Sequence, residues 1–181
     1  MKISVVIPCY NCADFISKAI ESVFKQEWAD YEIILVDNNS TDDTLSIIQD
    51  YGIRYPDTIT VLSETKKGAP ATRNKGLSVA TGDWIQFLDS DDELLPGKFK
   101  RQAEIIANTG ADIISGAYIN VQVFSGKFKS IRKLYHTTRI MSGSVKGEIN
   151  GYTLNTTRTP SKGDHWKALI GGKLGITSAN L

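Results

Sequence analysis

Apolar and polar positions follow two rhythms along the first part of the chain. ISVVIP, residues 3–8, is a continuous run rich in β-branched side chains. Such a run predicts a strand buried on both faces. ADFISKAIESVFKQ changes the rhythm, placing Phe15, Ile16, Ala19, Ile20, Val23 and Phe24 at helical spacing. YEIILVD predicts a second buried strand, ending in Asp37. STDDTLSIIQDY predicts a short helix, with Ser40 or Thr41 as N-cap, acids in its first turn, and Leu45, Ile47 and Ile48 on its apolar side. TITVLSE predicts a third strand. GAPATRNKGLSVA predicts a third helix, with Pro70 near its start and Gly82 just past its end. DWIQFLD predicts the fourth strand, and PGKFKRQAEIIANTG a fourth helix that stops at Gly110.

Four alternations of strand and helix with short connections imply an α/β fold: a mostly parallel sheet with helices on both faces. After residue 110 the pattern changes. ADIISGAYINVQVF and KFKSIRKLYHTTRI predict two strands joined by a turn at SGK. Residues 142–175 are rich in Gly, Thr, Ser and Lys with weak periodicity, which predicts a loop. We therefore divide the chain into a first unit, 1–110, and a partial second one, 111–181, made of a hairpin and a loop-rich tail.

Composition narrows the class without naming it. Hydrophobic content of 41% with 23% charged residues fits an ordinary globular domain. A net charge of +1 gives no electrostatic claim on nucleic acid. No apolar stretch approaches the roughly 20 residues that span a bilayer. The opening MKISVVIPCYN reads as a buried strand, not a signal peptide. The expected location is the cytoplasm, with the inner face of the membrane as a second setting, and the expected thiols are reduced. Both cysteines, Cys9 and Cys12, lie in CYNC. That spacing admits a redox pair, half a zinc site, or two small side chains filling space. A zinc site needs about four ligands, and no second Cys pair exists.

Candidate chemistry gathers where the strands end. In an open parallel sheet, ligands bind outside the carboxyl ends of the strands. Those ends read PCYN, DNNS and DSDD. PCYNCADF lacks the glycines of a dinucleotide turn, and no GxxxxGK[ST] cradle is present. A divalent cation held by carboxylates can clamp phosphates instead, because Mg²⁺ and Mn²⁺ take oxygen ligands. In an extended segment, Asp89 and Asp91 share a side and Asp92 faces elsewhere. The bland alternative is a helix start decorated with acids.

Four segments in order decide between these. VVIPCYNCADFISKAIESVFKQ, EIILVDNNSTDDT, GAPATRNKGLSVATGDWIQFLDSDD and LLPGKFKRQ resemble the nucleotide-binding half of family 2 glycosyltransferases. The resemblance covers about residues 1–110 and implies a GT-A fold and inverting transfer of a sugar from a nucleotide diphosphate. It implies that Pro8, Tyr10 and Asn11 shape the pocket floor. It implies that Asp37 and the next residue, here Asn38 where the family often has Asp, meet the base. Arg73 is implied in the nucleotide pocket or as a brace for Asp89. The DxD signature maps onto Asp89, Ser90 and Asp91, with Asp92 adjacent, and implies Mn²⁺ or Mg²⁺ on Asp91, Asp89 and Asp92. A UDP-sugar is the favoured donor, and a saccharide or lipid-linked molecule the acceptor.

The family's general base is a carboxylate in the acceptor half, and the resemblance implies a position for it beyond Leu181. Asp164, in GDHW, is the weak candidate within the chain. The expectation is a donor-binding half that transfers sugar poorly by itself. The competing readings are a non-catalytic nucleotide-sugar binder and a CxxC redox protein. Lys127, Lys129, Arg132, Lys133 and Arg139 read as a solvated basic hairpin, with peripheral membrane association as the functional alternative.

Overall fold

The computed structural model describes residues 1–109 and 112–115. Beyond these it describes the backbone of strands within 119–155. The core is a four-stranded parallel sheet built from β1 (Ile3–Cys9), β2 (Tyr31–Asp37), β3 (Ile59–Ser63) and β4 (Trp84–Phe87). The strand order is β3-β2-β1-β4, so β1 pairs with β2 on one side and β4 on the other. The helices are α1 (Ile16–Phe24), α2 (Thr44–Arg54), α3 (Ala69–Leu77) and α4 (Lys98–Thr109). The α/β alternation read from the pattern is the observed architecture.

The period of two along β1 sorts the core. Ile3, Val5, Ile7 and Cys9 pack with Ile33 and Leu35 of β2 in the larger cluster. Ile16, Ala19, Ile20 and Val23 of α1, Ile48 and Tyr51 of α2, and Phe99 of α4 complete it. Val6, Ile34 and Val36 face the other way, toward α3. Both faces of β1 and β2 are therefore dry, as a parallel sheet between helix layers requires. Gly76 lets α3 lie close: a Cβ there would overlap Val6 Cγ1 and sit 3.4 Å from Val36 Cγ2.

The sheet is tied at the edge where β2 begins. Glu32 Oε1 accepts from Ser4 Oγ at 2.5 Å, Thr81 N at 2.7 Å and Thr81 Oγ1 at 3.0 Å. Glu32 Oε2 accepts from Lys2 Nζ at 3.0 Å. Ser4 Oγ in turn accepts from Gly82 N at 2.8 Å. One carboxylate thus joins β1, β2 and the α3–β4 connection.

Three expectations are corrected. The helix expected from Ser40 or Thr41 starts at Thr44. Ser40 Oγ instead accepts from Asn11 N at 3.1 Å, and Asn11 Oδ1 accepts from Thr41 N at 2.8 Å. Two neighbouring loops satisfy each other, and that pairing outcompetes local capping. The segment after β4 is not extended: Asp92 N donates to Asp89 O at 3.0 Å, closing a turn. Finally, 142–175 is not simply loop. A strand at Lys146–Ile149 pairs antiparallel with Tyr152–Asn155. The sequence between them is Asn150-Gly151, a strong two-residue hairpin signal that composition obscured.

The hairpin expected earlier is present, Ile119–Phe124 pairing antiparallel with Lys127–Lys133. The Gly110 stop, Asp164 and Leu181 lie outside the described residues. Among the described residues, no helix is long and apolar enough to cross a membrane.

Candidate functional site

The carboxyl edge of the sheet opens into a cleft of about 480 Å³. β1 ends into it with Pro8, Cys9 and Tyr10, and Asn38 follows β2. The start of α3 supplies Lys67, Gly68, Ala69, Thr72 and Arg73. The turn after β4 adds Asp89, Ser90 and Asp91. Four chain segments far apart in sequence thus deliver their polar ends to one place. Parallel register does this, since every strand of such a sheet ends on the same edge.

Arg73 Nη2 meets Asp89 Oδ1 at 2.6 Å, so the guanidinium braces the acidic turn. Both side chains are largely buried, at 22% and 25% exposure. Asp91 is exposed on the cleft side. Asp92 is half-buried behind it. Burial pushes the Asp92 carboxyl up to about 6, with the charges of Asp91 and Asp89 adding to the effect and Lys98 opposing it. Lys98 opens α4 and was not anticipated; burial brings its ammonium down to about 7 against the pull of Asp92. Asp92 Oδ2 is buried without a hydrogen-bond partner.

Asp37 is 3% exposed at the end of β2. Its Oδ2 accepts from Ser40 N at 3.3 Å, while Oδ1 is buried with no partner. An unfilled buried acceptor costs about 1–3 kcal/mol, so this oxygen is suited to a donor brought by a ligand. Tyr10 presents its ring at 58% exposure beside the cleft. Asn11 does not line it; at φ 47° it braces the loop beneath through Thr41.

Cys9 and Cys12 are free, buried thiols. A hydrogen bond from Cys9 leads in bringing Cys12 down to about 6, burial opposing and Ser90 and Thr44 assisting. The same bond, burial and the Cys12 charge push Cys9 up.

Among the described residues, no three His, Cys, Asp or Glu side chains converge as a metal cage. A donor-borne cation does not require one, because Mg²⁺ takes one or two carboxylates and completes its shell with phosphate oxygens and water. The exposed Asp91 fits that donor set. Asp89 is already engaged by Arg73.

Lys67, Gly68, Ala69 and Thr72 were missed as cleft residues. The legible signal was Gly68, which takes φ 115° at the start of α3. A glycine before the Ala-Pro start of a helix marks a backbone geometry that other residues resist.

The family model described as Glycosyl transferase family 2 matches residues 4–166. A UDP-Glc:alpha-D-GlcNAc-diphosphoundecaprenol beta-1,3-glucosyltransferase of Escherichia coli is 33% identical over 134 residues, covering 73% of this chain and 52% of that one. An uncharacterised glycosyltransferase of Nostoc is 36% identical over 131 residues, covering 72% of this chain and 40% of its own length. The S. aureus TarS structure in complex with UDP-GlcNAc superposes with a TM-score of 0.57 at 32% identity, over 63% of this chain and 33% of that one. A mannosyltransferase from Pyrobaculum calidifontis shares the fold, with a TM-score of 0.59 at 24% identity over 65% of this chain and 35% of that one. The chain thus spans about half or less of the length of these proteins.

Proposed function

The chain belongs to glycosyl transferase family 2, has a GT-A fold, and from that premise we propose that its cleft binds a nucleotide-diphospho-sugar for inverting glycosyl transfer. One observation carries the reading: Tyr10, Asn38, Arg73 and Asp91, from four separate segments, line one cleft at the carboxyl edge of the sheet, and Asp37 ends β2 next to Asn38. Together they suit the parts of such a donor. The buried Asp37 Oδ1 accepts from an N–H on the edge of the base. The Tyr10 ring offers a flat apolar surface for that base. Arg73 holds the turn after β4 in place through Asp89, and Asp91 faces the phosphates.

Mg²⁺ or Mn²⁺ on Asp91 would neutralise the diphosphate as it leaves. The protein's own part is positioning. Uracil and guanine both carry a ring N–H that matches Asp37, and UDP is the form we favour. The acceptor is a saccharide or a lipid-linked saccharide; the E. coli relative's name specifies a diphosphoundecaprenol-linked sugar. Work at such an acceptor would put the protein at the cytoplasmic face of a membrane. Deprotonation of the acceptor hydroxyl by a carboxylate typically contributes about 10²- to 10⁴-fold. Of the carboxylates that line the cleft, Asp89 is held by Arg73 and Asp91 is assigned to the phosphate side, so neither is given that role.

Calorimetry with UDP, with Mg²⁺ and then with excess EDTA, tests the reading. Binding should weaken at least about tenfold on chelation, the scale of one lost charge-assisted contact. Asp91→Asn should lose that metal-dependent part and keep its urea midpoint. Binding that ignores both EDTA and the substitution would overturn the metal role, and no binding at all would overturn the donor site.

A further inference from the structure

Two asparagines leave β2 directly after Asp37, and both turn toward the β3–α3 connection. Asn38 Nδ2 donates to Glu64 O at 2.6 Å and to Lys66 O at 2.9 Å. Its Oδ1 accepts from Gly68 N at 2.8 Å. Asn39 Nδ2 adds Glu64 O at 3.3 Å and Thr65 O at 3.1 Å. Three successive carbonyls, 64 to 66, thus receive asparagine protons. A side-chain amide has two protons to give, and Asn38 uses both. Its orientation is fixed by its partners, because a flipped amide would set oxygen against two carbonyls. At 6% exposure the group is nearly sealed from water.

These bonds hold a wall of the cleft. The turn they pin ends at Gly68, whose carbonyl accepts from Ala71 N at 3.1 Å, Thr72 N at 3.2 Å and Thr72 Oγ1 at 3.0 Å. Lys67, Gly68 and Ala69 line the cleft, and the helix that starts here carries Arg73 to Asp89. Both protons of the Asn38 amide are thus spent on the protein.

We infer that Asn38 is a positioning residue that fixes the 64–68 turn as a cleft wall and thereby sets the affinity for the nucleoside diphosphate. This rests on the donor-site reading above. Aspartate, one atom different, cannot replace it: an ionised carboxylate has no proton for Glu64 O or Lys66 O and would repel both. A chain with Asp at this position must therefore shape its turn differently.

The test uses Asn38→Asp and Asn38→Ala in the full chain, with UDP and Mg²⁺ as probe. Amide hydrogen exchange at Gly68 should quicken by about tenfold in both, the scale of a lost net hydrogen bond, while amides of β1 and α1 keep their protection. UDP affinity should fall by about tenfold or more for the same reason. Unchanged exchange at Gly68 overturns the inference. So does faster exchange with UDP affinity held, since the turn would then be no determinant of binding. Loss of protection throughout the core would mark a general role in folding and also overturn it; if Asn38→Asp does not fold, Asn38→Ala decides. If the unaltered chain binds no UDP, the donor-site reading fails and takes the affinity claim with it, while exchange at Gly68 still judges the clamp.

Discussion

Replacing Glu32 by Gln removes one charge from the tie at the start of β2. Burial by itself would raise this carboxyl; hydrogen bonds from Ser4, Thr81 and Lys2 overcome that and bring it from 4.5 down to about 2. At about 1.4 kcal/mol per unit, the full shift would be worth roughly 3 kcal/mol. Solvent reaches the group and screens part of that, and exposed pairs rarely contribute more than about 1 kcal/mol. We expect Glu32→Gln to cost about 1–2 kcal/mol at neutral pH, within the range for hydrogen bonds to a charged group. The sign of the pH dependence follows from a depressed folded-state value. The stabilisation is complete above the unfolded value and lost as pH falls through the folded one. The gap between the unaltered chain and Glu32→Gln should therefore hold down to about pH 5 and narrow to near zero by about pH 2. Urea midpoints across that range measure it. A gap that stays constant to the acid end, or is absent at neutral pH, would refute the reasoning.

Gly76→Ala should destabilise by about 1–3 kcal/mol through overpacking against Val6, despite a gain of up to about 1 kcal/mol in helix propensity. Its displacement of α3 should also weaken UDP binding, read from the same calorimetry. Cys9 and Cys12, at 0% and 4% exposure, should resist alkylation in the native protein and react together on unfolding in urea. A quantitative disulfide in freshly prepared native protein would overturn that and revive the redox reading.

Most strands and helices of the first 109 residues were legible because each carries its own apolar pattern, whereas α3 was marked by Pro70 at its start. Ile16, Ala19, Ile20 and Val23 could only share a face as a helix, and all four are fully buried. The acidic turn was legible as chemistry because Asp89, Asp91 and Asp92 cannot crowd together without a counter-charge, and Arg73 provides one. What escaped were features decided between segments. Whether Ser40 caps a helix or receives Asn11 depends on which loop lies beside it. The resemblance set Asn38 beside the base, and its bonds to partners 26 to 30 residues away were not legible locally. Lys67 escaped as a cleft residue because nothing local sets that loop beside the end of β1. The strand pair at 146–155 is a different case: Asn150-Gly151 was visible and was outweighed by the polar composition around it.

β2 places Glu32 near one end and Asp37 at the other, five residues apart in an extended strand. At about 3.3 Å per residue that is roughly 16 Å. An engineer seeking a sturdier scaffold can work at the Glu32 end, adding or redistributing charge among Lys2, Ser4 and Thr81, without touching a residue that faces the cleft. On the donor reading proposed above, a new donor preference would be sought at the Asp37 end, which leaves the clasp intact. The two undertakings share a strand but no side chain, so libraries built at each end can be screened separately and then combined.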